Sequence, residues 1–195
     1  MSYSIDPISA SCYPGTSILI NKFDIRDEQK LNEVESVLVS ARNAEWIHAP
    51  RQSSFDFEHY KAIHRYLFSD LYDWAGQIRT INISKKGTLF CPAERIETQA
   101  ALIFSRLAER NYFKRLPYEE FIDDIVDFYC ASNYLHPFRE GNGRTQRAFL
   151  TQLGRNAGYD INWADMDGDL LMIATIQASQ GVVDLLRDIL SENIM

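Results

Sequence analysis

Residues 136–147 read HPFREGNGRTQR, and this stretch decides how the rest of the chain is interpreted. Two glycines flank Asn142, so the backbone can approach a ligand closely there. The run that follows, 144–157, has a helix-forming composition, which predicts free backbone N–H groups at a helix N-terminus beside the glycine turn. Because a helix N-terminus favours negative charge, we expect an anion to bind at this turn.

The charged residues of the same stretch indicate which anion binds. Arg144 and Arg147 are three residues apart, which on a helix places both guanidinium groups on one face of the first turn. That pair favours a polyphosphate over a lone carboxylate. Glu140 suits a magnesium ion, since a carboxylate beside phosphates is the usual protein ligand of Mg²⁺. His136 remains as the candidate general base, because imidazole titrates near neutral pH.

Each of these residues also has a simpler structural interpretation. A histidine at this point could merely cap a helix C-terminus, and Gly-Asn-Gly is also the sequence of an ordinary tight turn. A bare turn does not account for an acid before it and two arginines after it, so we prefer the functional interpretation. The other three histidines are interpreted as structural: His48, His59 and His64.

Helical periodicity dominates the chain outside this stretch. Three core-facing helices are predicted from apolar residues at 3.6-residue spacing: Leu31, Val34, Leu38 and Ala41; Ile63, Leu67 and Leu71; Ile96, Ala100, Ile103 and Leu107. Asp56 is predicted to cap the second helix, and Pro92 suits the first turn of the third. Pro117 opens a fourth helix, whose inner side carries Phe121, Ile125, Phe128 and Leu135.

The fourth helix leads directly into the motif. Pro137 disfavours the α conformation at His136, so the helix should end there. The helix after the glycine turn should stop at Gly158, which makes the site a helix-loop-helix. The apolar period falls to two only between Thr80 and Phe90, which predicts a hairpin with its turn at Lys85-Lys86-Gly87.

The composition limits the class of protein. A chain of 195 residues with 46% hydrophobic content is long enough for one well-buried core, so one domain is expected. The net charge of −7 argues against a general nucleic-acid or anionic-membrane binder. The three cysteines lack paired spacing, which predicts neither a disulfide framework nor a zinc site. Without a leader-like or membrane-spanning run, a cytoplasmic protein is expected.

The motif also carries a family resemblance. Residues 136–147 match every fixed position of His-x-Phe-x-(Asp/Glu)-Gly-Asn-Gly-Arg-x-x-Arg, the signature of the Fic family. A second stretch, WAGQIR at 74–79 followed by ISKKG at 83–87 and Phe90, resembles the Fic segment that precedes and forms a target-binding β-hairpin, the flap. Two such motifs in the right order make the resemblance specific.

A weaker third match, at residues 13–22, resembles the start of short bacterial Fic proteins. The resemblance implies an all-α Fic fold, which is a helical bundle with a central helix-loop-helix active site and a small β-hairpin flap. It also implies a single Fic domain over residues 1–195, with a core at about 55–160, the flap hairpin at about 80–91 and acidic C-terminal helices at about 164–193.

Resemblance to Fic enzymes implies a protein adenylyltransferase. A hydroxyl group of a target protein, usually of Tyr, Thr or Ser, attacks the α-phosphate of ATP, leaving AMP on the target and releasing pyrophosphate. ATP is the expected substrate and Mg²⁺ the expected metal ion, held by Glu140, with His136 as the catalytic base. Phe138 is expected to point inward and anchor the loop. No covalent enzyme intermediate is needed, because such transfer depends mainly on charge neutralisation and in-line positioning.

The remaining residues of the motif are expected to bind the nucleotide. The reacting phosphate should lie on the backbone N–H groups of Gly141, Asn142 and Gly143, with the Asn142 side chain as an additional donor. By resemblance, Arg144 and Arg147 hold the β- and γ-phosphates.

The flap is expected to bind the target through Ile83, Ser84, Lys85, Gly87 and Phe90. By adding a target segment to an exposed strand edge, it would bind through main-chain hydrogen bonds without demanding a sequence. The alternative is that this hairpin is a simple surface ribbon.

Several other functions remain open at this point. The Doc type of the family acts as a kinase but has Lys where Gly143 stands, so Gly143 favours AMP transfer. Other Fic proteins use different nucleotides or a phosphocholine donor. A non-catalytic module that binds a nucleotide or phosphate is a further alternative. A DNA-binding helix-turn-helix is disfavoured, because its second helix would offer only Arg144 and Arg147 in an acidic chain.

Regulation is predicted from what the sequence lacks. Many Fic proteins are inhibited by a helix bearing Ser/Thr-x-x-x-Glu-Gly/Asn, whose glutamate pairs with the second arginine, here Arg147. Two partial matches, Ser54–Glu58 and Ser105–Glu109, fail at the last position. We therefore expect a separate small antitoxin protein to supply that helix. This places the chain with short bacterial Fic toxins. By resemblance, their targets are the ATPase subunits of two enzymes: the B subunit of DNA gyrase and the ATPase subunit of topoisomerase IV.

Overall fold

The computed structural model describes residues 11–48, 53–85 and 87–195, which form seven α-helices, two 3₁₀ turns and one two-stranded hairpin. In chain order the elements are α1 (Glu28–His48), α2 (Phe57–Phe68), β1 (Ser84–Lys85), β2 (Thr88–Leu89), a 3₁₀ turn (Ala93–Arg95), α3 (Ile96–Glu109), a second 3₁₀ turn (Asn111–Phe113), α4 (Tyr118–Leu135), α5 (Asn142–Ala157), α6 (Gly168–Ser179) and α7 (Asp184–Glu192). The prediction of an all-α fold with a small hairpin is confirmed. Among the described residues, no helix has the length and apolar character needed to cross a membrane.

Several helix ends follow from the residues placed there. The carboxylate of Asp56 accepts the backbone N–H of His59 at 2.8 Å, which satisfies one of the unpaired donors of α2. Pro117 directly precedes α4. Gly158 ends α5 in the left-handed conformation, with φ of 103°, which glycine adopts without steric cost. All three ends agree with the sequence prediction.

Two helices are shorter than the sequence predicted. α2 ends at Phe68, before Leu71, although Leu71 is fully buried beyond its end. Pro92 precedes the 3₁₀ turn at Ala93–Arg95, so that α3 begins only at Ile96. Proline fixes its own φ but does not select between a 3₁₀ and an α-helical first turn.

The buried face of α1 also differs from the predicted one. Leu31 is buried as predicted, and Val34 and Leu38 are half-buried and pack against the core, but Ala41 is exposed, so the predicted stripe is only partly right. The buried residues are Leu31, Glu35, Val39 and Trp46. Because a carboxylate, Glu35, lies within this stripe, a pattern built from apolar residues alone misses the face.

The core forms around α5, which packs against α1, α2 and α4. Phe149 of α5 is fully buried, and its ring centroid lies 5.3, 5.7 and 5.5 Å from those of Tyr60, Phe104 and Phe128. Such edge-to-face and offset contacts add to the stabilisation that burial of the rings provides. The two helices that flank the motif, α4 and α5, are thereby fixed against the same core.

The hairpin is shorter than the predicted segment of about 80–91. Ser84 pairs with Leu89 and Lys85 pairs with Thr88 in an antiparallel register, and Lys86 in the predicted turn lies outside the described residues. Ile83 is buried beside β1, so its side chain anchors the base of the hairpin.

Candidate active site

His136 lies at the junction between α4 and the motif loop. α4 ends at Leu135, and His136 adopts the left-handed conformation with φ of 40° and ψ of 59°. Leaving the helix here agrees with the effect expected of Pro137. A non-glycine residue at positive φ costs energy and persists only where the surroundings hold it, so the contacts around His136 are informative.

Those contacts determine which imidazole nitrogen carries the proton. Nδ1 of His136 lies 3.1 Å from the carbonyl oxygen of Asn133, and a carbonyl can only accept, so Nδ1 donates. In the neutral ring Nε2 then carries the lone pair. Burial lowers the pKa of His136 to about 3, and the nearby charges of Lys85 and Arg79 add to the decrease. The imidazole is therefore neutral and able to accept a proton at physiological pH.

The flap reaches the site through Phe90, and Arg79, which directly precedes the flap, binds the residues at its base. The Phe90 ring is stacked on the His136 imidazole, with the centroids 3.7 Å apart. The buried guanidinium of Arg79 donates to the carbonyl oxygens of His136, at 2.8 Å, of Ile81 and of Cys91. Arg79 thus ties the end of α4 to both sides of the hairpin. The sequence placed Arg79 in a family-like motif but gave no sign of these three acceptors.

The motif loop is held together by Asn142. Its side-chain Oδ1 accepts the backbone N–H of Phe138, and its Nδ2 donates to the Phe138 carbonyl oxygen, both at 2.8 Å. Asn142 is buried, and both ends of its amide are used within the loop. The amide nitrogen carries two N–H groups and the loop uses one of them, so the expectation that the Asn142 side chain is an additional phosphate donor stays a prediction.

Phe138 lies fully buried beneath the loop. Its ring is stacked on His64, with centroids 3.8 Å apart, and parallel to Tyr60 at 5.8 Å. His64 accepts the backbone N–H of Gly76 at Nδ1 and, in that tautomer, donates from Nε2 to the carbonyl oxygen of Glu140 at 3.0 Å. Burial lowers the pKa of His64 to about 3, which keeps the ring neutral. His64 is structural as predicted, and the part it supports is the motif loop.

Gly141 and Glu140 form the turn into α5. Gly141 has φ of 79°, and a Cβ at this position would lie 2.3 Å from Cζ of Phe68, so only glycine fits. One carboxylate oxygen of Glu140 accepts the Gly141 N–H at 2.8 Å. Burial raises the pKa of Glu140, while the Gly141 hydrogen bond and the charge of Arg144 oppose the increase.

The first turn of α5 supplies hydrogen-bond donors. The first intrahelical bond is from the Thr145 N–H to the Gly141 carbonyl oxygen at 3.1 Å. The N–H groups of Asn142, Gly143 and Arg144 therefore have no intrahelical acceptor. Gly143 has an ordinary φ, and a Cβ there would meet only Nη1 of Arg147 at 3.6 Å. These donors and the positive end of the helix dipole favour an anion, as the sequence predicted.

Arg147 lines a cavity beside the motif loop. This cavity has a volume of about 460 Å³, and its lining includes His136, Glu140, Gly143 and Arg147. Arg147 makes no ion pair with any carboxylate in the part of the chain that the structure describes, and burial lowers the pKa of its guanidinium. A half-buried cation that has no carboxylate partner among the described residues is a suitable partner for a ligand phosphate.

Arg144 has a partner that sequence reasoning missed. Its guanidinium donates to the buried carboxylate of Glu35 on α1, and the second oxygen of that carboxylate accepts the hydroxyl of Tyr72. Arg144 also lies over the Phe68 ring at 4.8 Å and 3.6 Å from Glu140. The one sequence signal for this pair was Glu35 itself, a single acid among the apolar residues of the buried face of α1.

Comparison with known proteins agrees with this geometry. A model of the Fic/DOC family matches residues 54–153, and relatives that are at least 33% identical cover most of the chain. The chain belongs to the Fic/DOC family. The match includes α2, the flap and the whole motif loop.

Three relatives carry names of one enzyme class. The chain is 40% identical to the probable protein adenylyltransferase y4lH of Sinorhizobium fredii, over 90% of this chain and 89% of that protein. It is 36% identical to the protein adenylyltransferase VbhT of Bartonella schoenbuchensis, over 93% of this chain and 38% of that protein. It is 33% identical to the probable protein adenylyltransferase Fic of Escherichia coli K12, over 92% of this chain and 89% of that protein.

Solved structures of Fic proteins share the fold closely. BepC of Bartonella tribocorum with bound AMPPNP superposes with a TM-score of 0.91 at 28% identity, covering 95% of this chain and 96% of that one. The N-terminal Fic domain of a Bartonella quintana effector with bound ADP gives a TM-score of 0.91 at 26% identity, covering 95% of this chain and 94% of that one. Both of those proteins bind adenine nucleotides.

Proposed function

We propose that this protein transfers AMP from ATP to a hydroxyl side chain of a target protein. Several relatives that align over about nine-tenths of the chain are named protein adenylyltransferases, and the chain is an enzyme of that class. The observation that carries the proposal is one cavity that combines a neutral imidazole, helix N–H groups without an intrahelical acceptor, and an arginine that no carboxylate of the described residues pairs with. That combination suits a nucleophile and a polyphosphate together.

The reaction follows from the tautomer of His136. The target hydroxyl oxygen forms a bond to the α-phosphorus of ATP, and its proton passes to Nε2 of His136. The bond between the α-phosphorus and the oxygen that bridges to the β-phosphorus breaks, and pyrophosphate leaves. The N–H groups of Asn142 and Gly143 would stabilise the added charge on the reacting phosphate. Arg144 and Arg147 would hold the pyrophosphate part.

Mg²⁺ fits the donors that this cavity offers. The ion prefers one or two carboxylates together with phosphate oxygens and water. Glu140 lines the cavity with a carboxylate, and no cluster of three or more possible metal ligands occurs among the described residues. Glu140 is thus the residue that would hold Mg²⁺, and a bound ion would neutralise phosphate charge.

The adenine ring has an apolar wall available. Leu171, Met172 and Ile176 of α6 also line the cavity. Aliphatic and thioether side chains suit the face of a purine.

Gly143 favours AMP transfer over the kinase reaction of the Doc type, because Doc proteins have Lys at the position of Gly143.

A protein target is favoured by the surroundings of the flap. A second cavity, of about 900 Å³, shares Thr88 and Asn133 with the first and extends along the hairpin. Leu89 and Tyr134 line it and are 77% and 47% exposed. An extended segment added to the hairpin would cover these side chains and present its hydroxyl to His136.

The test is transfer of label from ATP to protein in a bacterial lysate. We expect label from α-labelled ATP on one or few bands and no label from γ-labelled ATP. His136→Ala should abolish the transfer. Label from the γ position would establish a kinase, and binding of ATP without any transfer would favour the binding-module alternative.

We also propose that the protein is a cytoplasmic toxin, inhibited by a small antitoxin in trans. Arg147 has no carboxylate partner within the described ranges, which leaves it available to an external glutamate. The glutamates of the two partial motifs are elsewhere: Glu58 pairs with Lys61 at 2.7 Å with its side chain 79% exposed, and Glu109 ends α3 at the surface. If the chain alone were inactive until Glu58 or Glu109 was replaced, this proposal would fall.

The proposed targets are the ATPase subunits of type II topoisomerases, DNA gyrase and topoisomerase IV, on the basis of the family resemblance. No direct contact with nucleic acid or membrane is proposed. The test is incubation of each purified subunit with the enzyme and α-labelled ATP. Labelling of neither subunit, alongside labelled bands in a lysate, would refute this target and identify another.

A further inference from the structure

Glu35 contacts the motif although it lies about a hundred residues earlier in the chain. It is 7% exposed, and its carboxylate binds two groups from different segments of the chain: the guanidinium of Arg144 and the hydroxyl of Tyr72. Burial of a carboxylate is costly unless it is paired and hydrogen-bonded, and here both oxygens are occupied. The arrangement therefore fixes the carboxylate in one position.

Arg144 is constrained from three directions. Glu35 binds one Nη atom, Glu140 lies 3.6 Å from the same atom, and the Phe68 ring lies beneath the guanidinium carbon at 4.8 Å. A guanidinium carries five N–H donors, so these contacts leave donors for a ligand while limiting the orientation of the plane. Arg144 is thus oriented before any nucleotide arrives.

We propose that Glu35 is a positioning residue that orients Arg144 toward the β-phosphate of the nucleotide. This inference rests on the proposed function, because it takes a nucleoside triphosphate as the ligand. Tyr72 orients Glu35 in turn, and its ring is stacked on Trp74 with centroids 4.4 Å apart. The support for the phosphate site therefore extends from α5 through α1 to the segment before the flap.

An inhibitory role for Glu35 is the opposing interpretation. A glutamate that blocks phosphate binding should pair with the arginine that otherwise has no carboxylate partner among the described residues, which is Arg147. Glu35 instead pairs with Arg144, which Glu140 also approaches, and makes no ion pair with Arg147. Its carboxylate is also shared with Tyr72, so that displacing it would leave a buried hydroxyl unpaired.

The test compares binding of ATP and of AMP to the full chain by titration calorimetry. AMP lacks the β-phosphate, so it reports the remainder of the site. Glu35→Gln and Glu35→Ala should weaken ATP binding on the order of tenfold or more, as removal of a supporting partner does, and leave AMP binding unchanged. Tyr72→Phe should shift ATP binding in the same direction by a smaller factor.

Asp70→Asn is the matched control. Asp70 pairs with Arg42 of α1 at 2.8 Å, so this variant also removes an ion pair from α1 but does not contact Arg144. It should bind ATP and AMP like the wild type. Melting temperatures of all variants show whether any loss reflects unfolding.

The outcomes separate the two proposals. Equal weakening of ATP and AMP binding, or no change in either, would overturn the positioning role. Tighter ATP binding or faster transfer in Glu35→Gln would identify an inhibitory residue and overturn it too. If the ATP-specific loss occurs but the wild type transfers no label, the inference on Glu35 stands and the proposed AMP transfer falls.

Discussion

Replacing Gly141 by alanine should damage the fold far more than the same change at Gly143. The left-handed conformation at Gly141 costs a residue with a Cβ ~1–2 kcal/mol. The new methyl would also lie 2.3 Å from the buried Phe68 ring, and such overpacking costs ~1–3 kcal/mol. The two effects together predict a loss of ~2–5 kcal/mol of unfolding free energy.

Gly143 is the matched control because it lies in the same loop. Its φ is ordinary, and its Cβ would meet only Arg147 at 3.6 Å. Alanine in a helix is more stable than glycine by roughly 0.5–1 kcal/mol, so Gly143→Ala should keep or slightly raise the stability.

The assay is urea-induced and thermal unfolding of the two variants and the wild type. For a chain of this size the predicted loss in Gly141→Ala corresponds to a melting temperature lower by roughly 4–20 °C. If Gly141→Ala melted with the wild type, or if both variants were destabilised equally, the argument from backbone conformation and contact with Phe68 would be refuted.

Three further predictions concern the residues around the loop. Because the pKa of His136 is about 3 when folded and 6.5 is its ordinary value, the unfolded chain takes up the proton first as pH falls. As pH falls from 6.5 to about 3, the unfolding free energy of the wild type should therefore decrease more steeply than that of His136→Ala. The difference in slope should be ~1.4 kcal/mol per pH unit, and parallel curves of the two proteins in urea titrations at each pH would contradict this. Asn142→Ala leaves the buried N–H and carbonyl of Phe138 unpaired, which should cost ~2–4 kcal/mol in the same unfolding assay, whereas a loss below ~0.5 kcal/mol would mean that the loop closes without them. Arg79→Lys replaces a planar group that binds three carbonyls by a single ammonium, so label transfer should fall at least about tenfold in kcat, and an unchanged kcat would show that Arg79 does not position the flap.

Local signals in the sequence were sufficient for much of the fold. Asp56, Pro117 and Gly158 act through their own backbone or a neighbour three residues away, and the helix ends that they predict are confirmed. The prediction for α1 was only partly right. Its buried face includes Glu35, which is stabilised there by groups far along the chain and therefore leaves no apolar pattern.

The candidate site was predicted in outline, and its internal hydrogen bonds were not. The motif gave the base, the helix N-terminus and the arginines because they are contiguous in sequence. The use of the Asn142 amide inside the loop depends on the path of the backbone at Phe138, which spacing alone does not give. The contacts of His64, Arg79 and Glu35 join distant segments, so only the folded structure places them.

The central claim is transfer of an adenylyl group that depends on His136. The most direct measurement is the mass of the modified peptide, isolated from a target labelled by the full chain with ATP. We expect a mass increase of one AMP on a Tyr, Thr or Ser residue, absent when His136→Ala replaces the wild type. An increase of a single phosphate, of another donor group, or an AMP adduct formed equally by the variant would contradict it.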